Sequence, residues 1–371
     1  MYKILQIIPT LDRCGAEKQL TLLAAGLPKD QFEVHVAVLT RTGPLEQPLR
    51  DAEIPLHFIH KKLKLDLFAY LRLKSLILRL KPDLVHTWLF AGNSYGRLAA
   101  MTAKVPKIVA GERCVDPWKS GYHFAIDRYF AQKTDVLVTN SGGVVDFYKN
   151  HGLPEEKFMV IPNAVLSEPP SPITRDEMFR ELRITPSRFV IGIVARLWPQ
   201  KRIRDAVWAA DMLKFAGEDI HLLVFGDGPE RDALLRYRED VCISDRVHFF
   251  GNRNDVPRFL PHFDLLWSTS AYEGQSNSIL EAMCCGVPVI ASDIPGNRDL
   301  VQNGVTGYLI PEFGEDYRRR TRELVKRTTE LLETPERRLQ FGQAGRSIVE
   351  SQFTLTAMIQ RHVELYSRLL K

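Results

Sequence analysis

The stretch Ser270-Ala-Tyr-Glu273-Gly-Gln-Ser-Asn277-Ser-Ile-Leu-Glu281-Ala-Met-Cys-Cys-Gly286-Val-Pro288-Val-Ile-Ala-Ser-Asp293 sets two carboxylates, Glu273 and Glu281, eight residues apart. The largely apolar run 263–267 before it reads as a buried strand. Ser276 and Asn277 are good helix N-caps, and residues 279–283 read as the first turns of a helix. Strand, polar loop and helix together make one βα unit. A helix N-terminus offers free backbone N–H groups and the positive end of a dipole, which suits phosphate. Glu273 then sits at the loop mouth and Glu281 about one turn inside the helix. One carboxylate reaches a group beyond the phosphate and the other a group beside it. That suits a sugar nucleotide, which carries a hydroxylated ring at each end of a diphosphate. Taken alone, two glutamates in a loop and a surface helix are ordinary solvated residues, so the reading depends on what surrounds them.

Outward from this unit the same alternation recurs. Residues 4–8, 34–39, 84–86, 107–110 and 136–139 read as buried strands, with helices such as 17–25 and 95–103 between them. A second series follows at 190–195, 222–225, 247–250, 265–267 and 287–291. Alternating short apolar runs and amphipathic stretches predict parallel β-α units and doubly wound sheets. The Pro-rich segment 167–175, Ser-Glu-Pro-Pro-Ser-Pro-Ile-Thr-Arg, reads as a linker. A chain of 371 residues suits two domains. The expected division is 1–166, 175–350 and a helical tail within 351–371. In the class named below, such a tail returns to the first domain.

Composition narrows the function classes. The chain is 45% apolar and 26% charged, which is globular. The run 4–8 is short, is broken by Pro9 and lacks a cleavage pattern, so it is not read as a signal peptide. No apolar stretch approaches a membrane span. Cys14, Cys114, Cys242, Cys284 and Cys285 show neither a paired framework nor metal spacing, as expected of reduced thiols in a cytoplasmic protein. The net charge of +5 lies in residues 1–170 and the remainder balances. Lys61, Lys62 and Lys64 precede a predicted helix, 67–80, that carries Arg72, Lys74 and Arg79. This is either a solubilising surface or a face toward an anionic membrane or acceptor. With no basic-aromatic stripe and no finger, nucleic-acid binding is not expected.

Six further segments stand in a fixed order around the opening stretch. Residues 2–9 lead into Gly15-Ala-Glu17, and Pro162-Asn163 lies between the halves. Gly192-Ile-Val-Ala-Arg196-Leu-Trp-Pro-Gln-Lys201, Val224-Phe-Gly226-Asp-Gly228-Pro-Glu230-Arg231, Val247-His-Phe-Phe-Gly251 and Asn303-Gly-Val-Thr-Gly307 follow. With Glu273 and Glu281 as an E-x7-E pair, this set resembles the retaining glycosyltransferases of family 4. The resemblance spans nearly the whole chain. It implies the GT-B fold, with two Rossmann-like domains facing a cleft and the donor held mainly by the C-terminal one. It also implies transfer of a sugar from a nucleotide-diphosphate donor, UDP- or GDP-linked, to a hydroxyl of a glycan or lipid-linked acceptor. Retention of configuration and a place in polysaccharide biosynthesis come from the resemblance, not from residue spacing.

Arg196 and Lys201 follow a predicted strand, with a Trp198-Pro199 turn between them. Two fixed cations there would stabilise the charge that grows on a leaving diphosphate. The alternative is a pair of solvated surface cations. The family pattern usually has Gly after this Lys; Arg202 stands there, and is a further candidate for phosphate. The resemblance puts Glu273 near the donor sugar and Glu281 on the ribose hydroxyls. It puts backbone N–H groups of Gly274, Gln275, Ser276 and Asn277 near phosphate or sugar. Relatives often carry an apolar residue at Gln275. Asn252 is either a contact to the base or an ordinary turn residue. Gly15 allows close approach of a ligand, although Cys14 replaces the first of two glycines common in relatives. His86 keeps the first of two histidines frequent at this point and is either catalytic or a core residue. Trp88 replaces the second and could stack on a sugar ring. Asn163 keeps the interdomain signature, with Ala164 and Leu166 where Gly and Asp are common. His123 and Glu112 are acceptor-side candidates, with ordinary structural roles the simpler reading for both.

No Asp-x-Asp occurs, so no metal is expected and Arg196, Lys201 and the helix end would supply the positive charge. No cofactor is expected beyond the nucleotide sugar itself. The expected partners are that donor, a glycan or lipid-linked acceptor and the inner face of a membrane. Two alternatives use the same fold: a nucleotide-sugar epimerase or hydrolase, and a non-catalytic sugar-nucleotide-binding protein. A dinucleotide-dependent dehydrogenase fails for want of Gly-x-Gly-x-x-Gly after either opening strand.

Overall fold

The first strand, β1 (Tyr2–Thr10), has Ile4, Leu5, Ile7 and Ile8 wholly buried, so both of its faces are covered. That is the environment of a central strand in a parallel sheet. In the computed structural model, residues 1–166 and 173–371 are described; residues 167–172 of the expected linker lie outside them. The chain divides into two compact units, Met1–Ala164 with Leu355–Lys371, and Val165–Thr354.

In the first unit α1 (Gly15–Gly26), β2 (Phe32–Arg41), α2 (Glu46–Asp51), β3 (Leu56–Phe58), α3 (Leu67–Leu80) and β4 (Leu84–Trp88) follow β1. Then come α4 (Leu89–Thr102), β5 (Lys107–Glu112), α5 (Gly121–Gln132), β6 (Val136–Thr139), α6 (Gly142–Asn150) and β7 (Phe158–Val160). The sheet order is β3-β2-β1-β4-β5-β6-β7, parallel throughout. Ile4 and Ile8 pack with Leu20 and Leu23 of α1 on one face. Leu5 and Ile7 pack with Leu73, Leu76 and Ile77 of α3 on the other. Strand order reverses between β1 and β4.

The second unit runs α7 (Arg175–Leu182), β8 (Phe189–Val194), α8 (Ile203–Phe215), β9 (Ile220–Phe225), α9 (Arg231–Asp240) and β10 (Val247–Phe249). It continues with α10 (Val256–Phe259), β11 (Leu265–Ser268), α11 (Asn277–Cys284), β12 (Val289–Ser292), α12 (Pro295–Arg298), β13 (Gly307–Ile310), α13 (Tyr317–Glu333) and α14 (Pro335–Gln352). Its parallel sheet has the order β10-β9-β8-β11-β12-β13. Here the order reverses between β8 and β11. In open parallel sheets ligands bind outside the carboxyl ends of the strands at such a reversal. Both sheets are doubly wound, as the alternation predicts. The last helix, α15 (Leu355–Leu370), belongs to the first unit, where Met358, Leu365 and Tyr366 enter the core on the α1 face.

Candidate active site

At the carboxyl ends of β8 and β11 two loops are laced together. Ala271 N–H donates to Gln200 O at 2.8 Å, and Gln200 Nε2 donates to Tyr272 O at 2.6 Å. The Thr269 hydroxyl donates to Lys201 O at 2.7 Å. The lacing brings Lys201 Nζ onto Glu273 Oε1, which also accepts from Ser270 Oγ at 2.7 Å. The two ionic side chains are only 15% and 10% exposed, so the pair is shielded from bulk water. Arg196 stands on the same loop, exposed, with its guanidinium 5.4 Å from the centre of the Trp198 ring. Beside β8, Gly226 at the end of β9 has φ +141 and packs on Ala195 O so closely that a Cβ would lie 1.9 Å from it. The approach to the Arg196 loop therefore requires glycine.

Arg202 adopts the left-handed region at φ 49, which explains why glycine is usual there. A side chain in that region costs roughly 1–2 kcal/mol. Its guanidinium is bound to both carboxylate oxygens of Glu312, at 2.8 and 3.0 Å. Arg202, the further candidate for phosphate, is thus paired with a carboxylate, as Lys201 is.

Past Glu273, Gly274, Gln275 and Ser276 are buried and lead into α11. Ser276 caps that helix, its hydroxyl accepting from Ile279 N–H at 3.5 Å. Asn277 is the first helical residue and Glu281 lies one turn further, half-buried. A Cβ on Gly296, in α12, would lie 2.0 Å from Gly274 O, so the helix rests directly on the turn. Asn252 is exposed. The strand before it ends at Phe249, and Gly251 O accepts from Gly226 N–H at 2.8 Å. Arg196, Lys201, Glu273 and the start of α11 are therefore gathered at one strand-order reversal, with Glu281 a turn inside the helix.

Residues 174–348 match the family described as Glycosyl transferases group 1, and residues 14–168 match Glycosyltransferase Family 4. The UDP-Gal:alpha-D-GlcNAc-diphosphoundecaprenol alpha-1,3-galactosyltransferase of Escherichia coli is 30% identical over 310 residues, 76% of this chain and 77% of that protein. The chain belongs to this glycosyltransferase family. The putative glycosyltransferase EpsD of Bacillus subtilis is 24% identical over 358 residues, covering 91% and 89% of the two chains. Among solved structures, Anabaena HepE in complex with UDP and glucose superposes with a TM-score of 0.87 over 99% of this chain and 100% of that one, at 21% identity. The architecture is accordingly the GT-B fold.

In the first unit of this glycosyltransferase, Gly15 begins α1, and Cys14 at the N-cap makes no side-chain cap. His86 and Trp88 are both fully buried, the surroundings expected of core residues. Their surroundings fix a chain of hydrogen bonds. Indole Nε1–H can only donate, and it donates to Gln6 Oε1 at 2.7 Å. Gln6 Nε2 then donates to the Tyr366 oxygen at 3.1 Å. The Tyr366 O–H is left to donate to His86 Nδ1 at 2.7 Å. His86 therefore carries its ring proton on Nε2. Burial holds it neutral by pushing its pKa well below the usual range. The chain ties β1 and β4 to α15 and is structural. Gln6, the one polar residue in the run Ile-Leu-Gln-Ile-Ile, was its only signal in the sequence.

Glu112 is buried as well, accepting from Asn93 Nδ2 at 2.8 Å and Tyr148 O–H at 2.9 Å. Burial pushes its carboxyl pKa up. Lys119 lies 3.5 Å from it and 2.9 Å from Asp127, which also pairs with Arg97 at 2.8 Å. Glu112 is thus part of a buried ionic core and not an acceptor-facing group. His123 caps α5, its Nδ1 accepting from Ser120 N–H at 3.1 Å, beside Phe90, Trp118 and Tyr122. Trp118 and Tyr122 are 54% and 64% exposed. Asn163 is buried and accepts from Arg113 Nη2.

Proposed function

We propose that this glycosyltransferase transfers a hexose from a UDP-sugar to a hydroxyl of a lipid-linked glycan, with retention and without a metal. The observation that carries the reading is the Lys201–Glu273 pair at the β8/β11 reversal, next to the N-terminus of α11. The printed substrates of the Escherichia coli relative and the UDP of the Anabaena complex support the choice of donor and acceptor class.

The chemistry follows from charge. As the sugar–phosphate bond breaks, negative charge accumulates on the diphosphate. Arg196 can bind phosphate oxygens in bidentate fashion, while Lys201 acts as a point charge. The α11 dipole adds its positive end. A diphosphate competes with Glu273 for Lys201, and each contact it wins frees Glu273 to face the sugar. Interactions that strengthen only as charge develops lower the barrier instead of merely tightening binding. Glu281, a turn inside α11, would take the vicinal ribose hydroxyls, which a carboxylate accepts well.

This division of labour makes the glutamates separable. Glu281→Gln is expected to weaken UDP binding, because the ribose contact serves product and donor alike. Glu273→Gln is expected to spare UDP binding and to reduce transfer. Calorimetry with UDP on both variants checks this, and equal weakening in both would show the roles to be wrongly divided.

The first unit also offers a face for an anionic membrane. Leu63, Leu65, Leu67 and Phe68 are 66%, 90%, 66% and 71% exposed, around the start of α3. Leu71 and Leu78 continue the exposed side of a helix whose other side, Ala69, Leu73, Leu76 and Ile77, is buried. Lys62 and Lys64 are interleaved with the exposed leucines, and Lys61 is half-buried beside them. Apolar side chains flanked by lysine suit insertion at the interface of an acidic bilayer. Among the described residues no helix is long and apolar enough to cross a membrane. Phe68→Asp is expected to weaken sedimentation with phosphatidylglycerol vesicles by about tenfold or more, from the burial value of one large apolar side chain. Unchanged sedimentation would remove this face from the account.

A further inference from the structure

Arg97, Lys119 and Arg113 are the buried cations of the first unit, and two of them are matched by carboxylates. Arg97 pairs with Asp127, and Lys119 with Asp127, Asp116 and Glu112. Arg113, 7% exposed, has no carboxylate partner among the described residues. Its Nη2 donates to Asn163 Oδ1, and its guanidinium lies 5.1 Å from the centre of the Trp88 ring. Its Nε and Nη1 have no hydrogen-bond partner among the described residues. Burial alone lowers its pKa to about 9, so at neutral pH it remains a cation.

A buried charge without a partner is costly, and natural structures pair such charges or use them. Three further observations bear on the use. Arg113 directly follows β5, on the carboxyl edge of the sheet and one strand from the β1/β4 reversal. His86, stacked at 4.8 Å on the same Trp88, presents an Nε2–H that is also unpaired among the described residues. Asn140 is tied to Arg113 O through Nδ2 at 3.1 Å, and its Oδ1 is an acceptor unpaired among the described residues.

We propose that Arg113 is the centre of an oxyanion-binding site in the first unit, taking a carboxylate or phosphate carried next to a hydroxyl on one of the enzyme's sugar substrates. Arg113 Nε and Nη1 supply the donors and the charge, and Asn140 Oδ1 accepts from the hydroxyl. The substrate class rests on the glycosyl-transfer reading; the unbalanced charge does not. The site would make the enzyme selective for an anionic partner, either a sugar acid or a phosphate-bearing acceptor.

The full chain, labelled with 15N at arginine side chains, is titrated separately with glucuronate, inorganic phosphate and neutral glucose. A buried Nε–H exchanges slowly enough to be followed, and its absence from Arg113→Gln assigns it. The expected result is that glucuronate or phosphate shifts this resonance and glucose does not. The anion that acts decides between a carboxylate on a sugar and a phosphate. Arg113→Gln is expected to lose that binding at least tenfold and Arg113→Lys to keep part of it, while both retain UDP binding, which belongs to the second unit. Failure of both anions to move the resonance, or equal affinity in Arg113→Gln, would overturn the site. Were Arg113→Gln to lose UDP binding and its fold together, the wild-type titration and Arg113→Lys would still decide.

Discussion

Lys201→Ala is expected to lower turnover by on the order of 100-fold or more, with a normal unfolding profile, and Arg196→Ala to act in the same direction. Removing one preorganised donor from a developing anion typically costs that much. Two features of the site make Lys201 the more sensitive of the two. Its side chain is only 15% exposed, so water replaces its charge poorly, and its absence leaves Glu273 without its cation. Arg196 is exposed and stacked near Trp198, so solvent takes over part of its role. The scaffold should tolerate both changes, since the loops are joined mainly by contacts to the backbone: Ala271 to Gln200 and Thr269 to Lys201 O. Initial rates beside thermal unfolding on each variant check this; activity within a few-fold of wild type for both would remove the diphosphate role.

The largest loss of stability is expected from Asp127→Ala. Asp127 is fully buried and binds Arg97 through one carboxylate oxygen and Lys119 through the other. Breaking a buried ion pair by removing one partner typically costs about 3–5 kcal/mol, because the remaining charge is left in a dry site. Here one truncation leaves Arg97 without its carboxylate, while Lys119 keeps Glu112 and Asp116. Denaturant unfolding of the first unit, with Asp127→Asn as the isosteric control, measures the effect. A loss below about 1 kcal/mol, the range of a solvated surface pair, would contradict it.

The two sheets were legible because parallel strands covered on both faces must be apolar along their length, and runs such as 4–8 and 220–225 are nearly so. The second-unit site was legible for a local reason. Arg196 and Lys201 lie on one loop, Glu273 and Ser276 on another, and strand order alone joins the two. What the sequence hid was the far side of each strand. His86 and Trp88 stand two residues apart on one face of β4, and α15, some 280 positions later, covers that face. No local pattern marks that cover. The ionic core was hidden likewise, since Arg97, Glu112, Lys119 and Asp127 sit on separate elements and each reads as a surface charge by itself. An arginine after a strand is ordinary in a sequence; only its unmatched burial sets Arg113 apart. Arg202 was readable as a departure from pattern, but not its outcome, because Glu312 lies 110 residues away.

The central claim is that the β8/β11 reversal of the second unit holds the diphosphate of a UDP-sugar through protein cations. It is tested most directly by calorimetric titration of UDP, in EDTA, into the wild-type chain and into the Arg196→Ala/Lys201→Ala double variant. The account predicts saturable binding at one site in the wild type without metal, weakened at least tenfold in the double variant. No binding until manganese is added, or equal affinity in the two proteins, would contradict it.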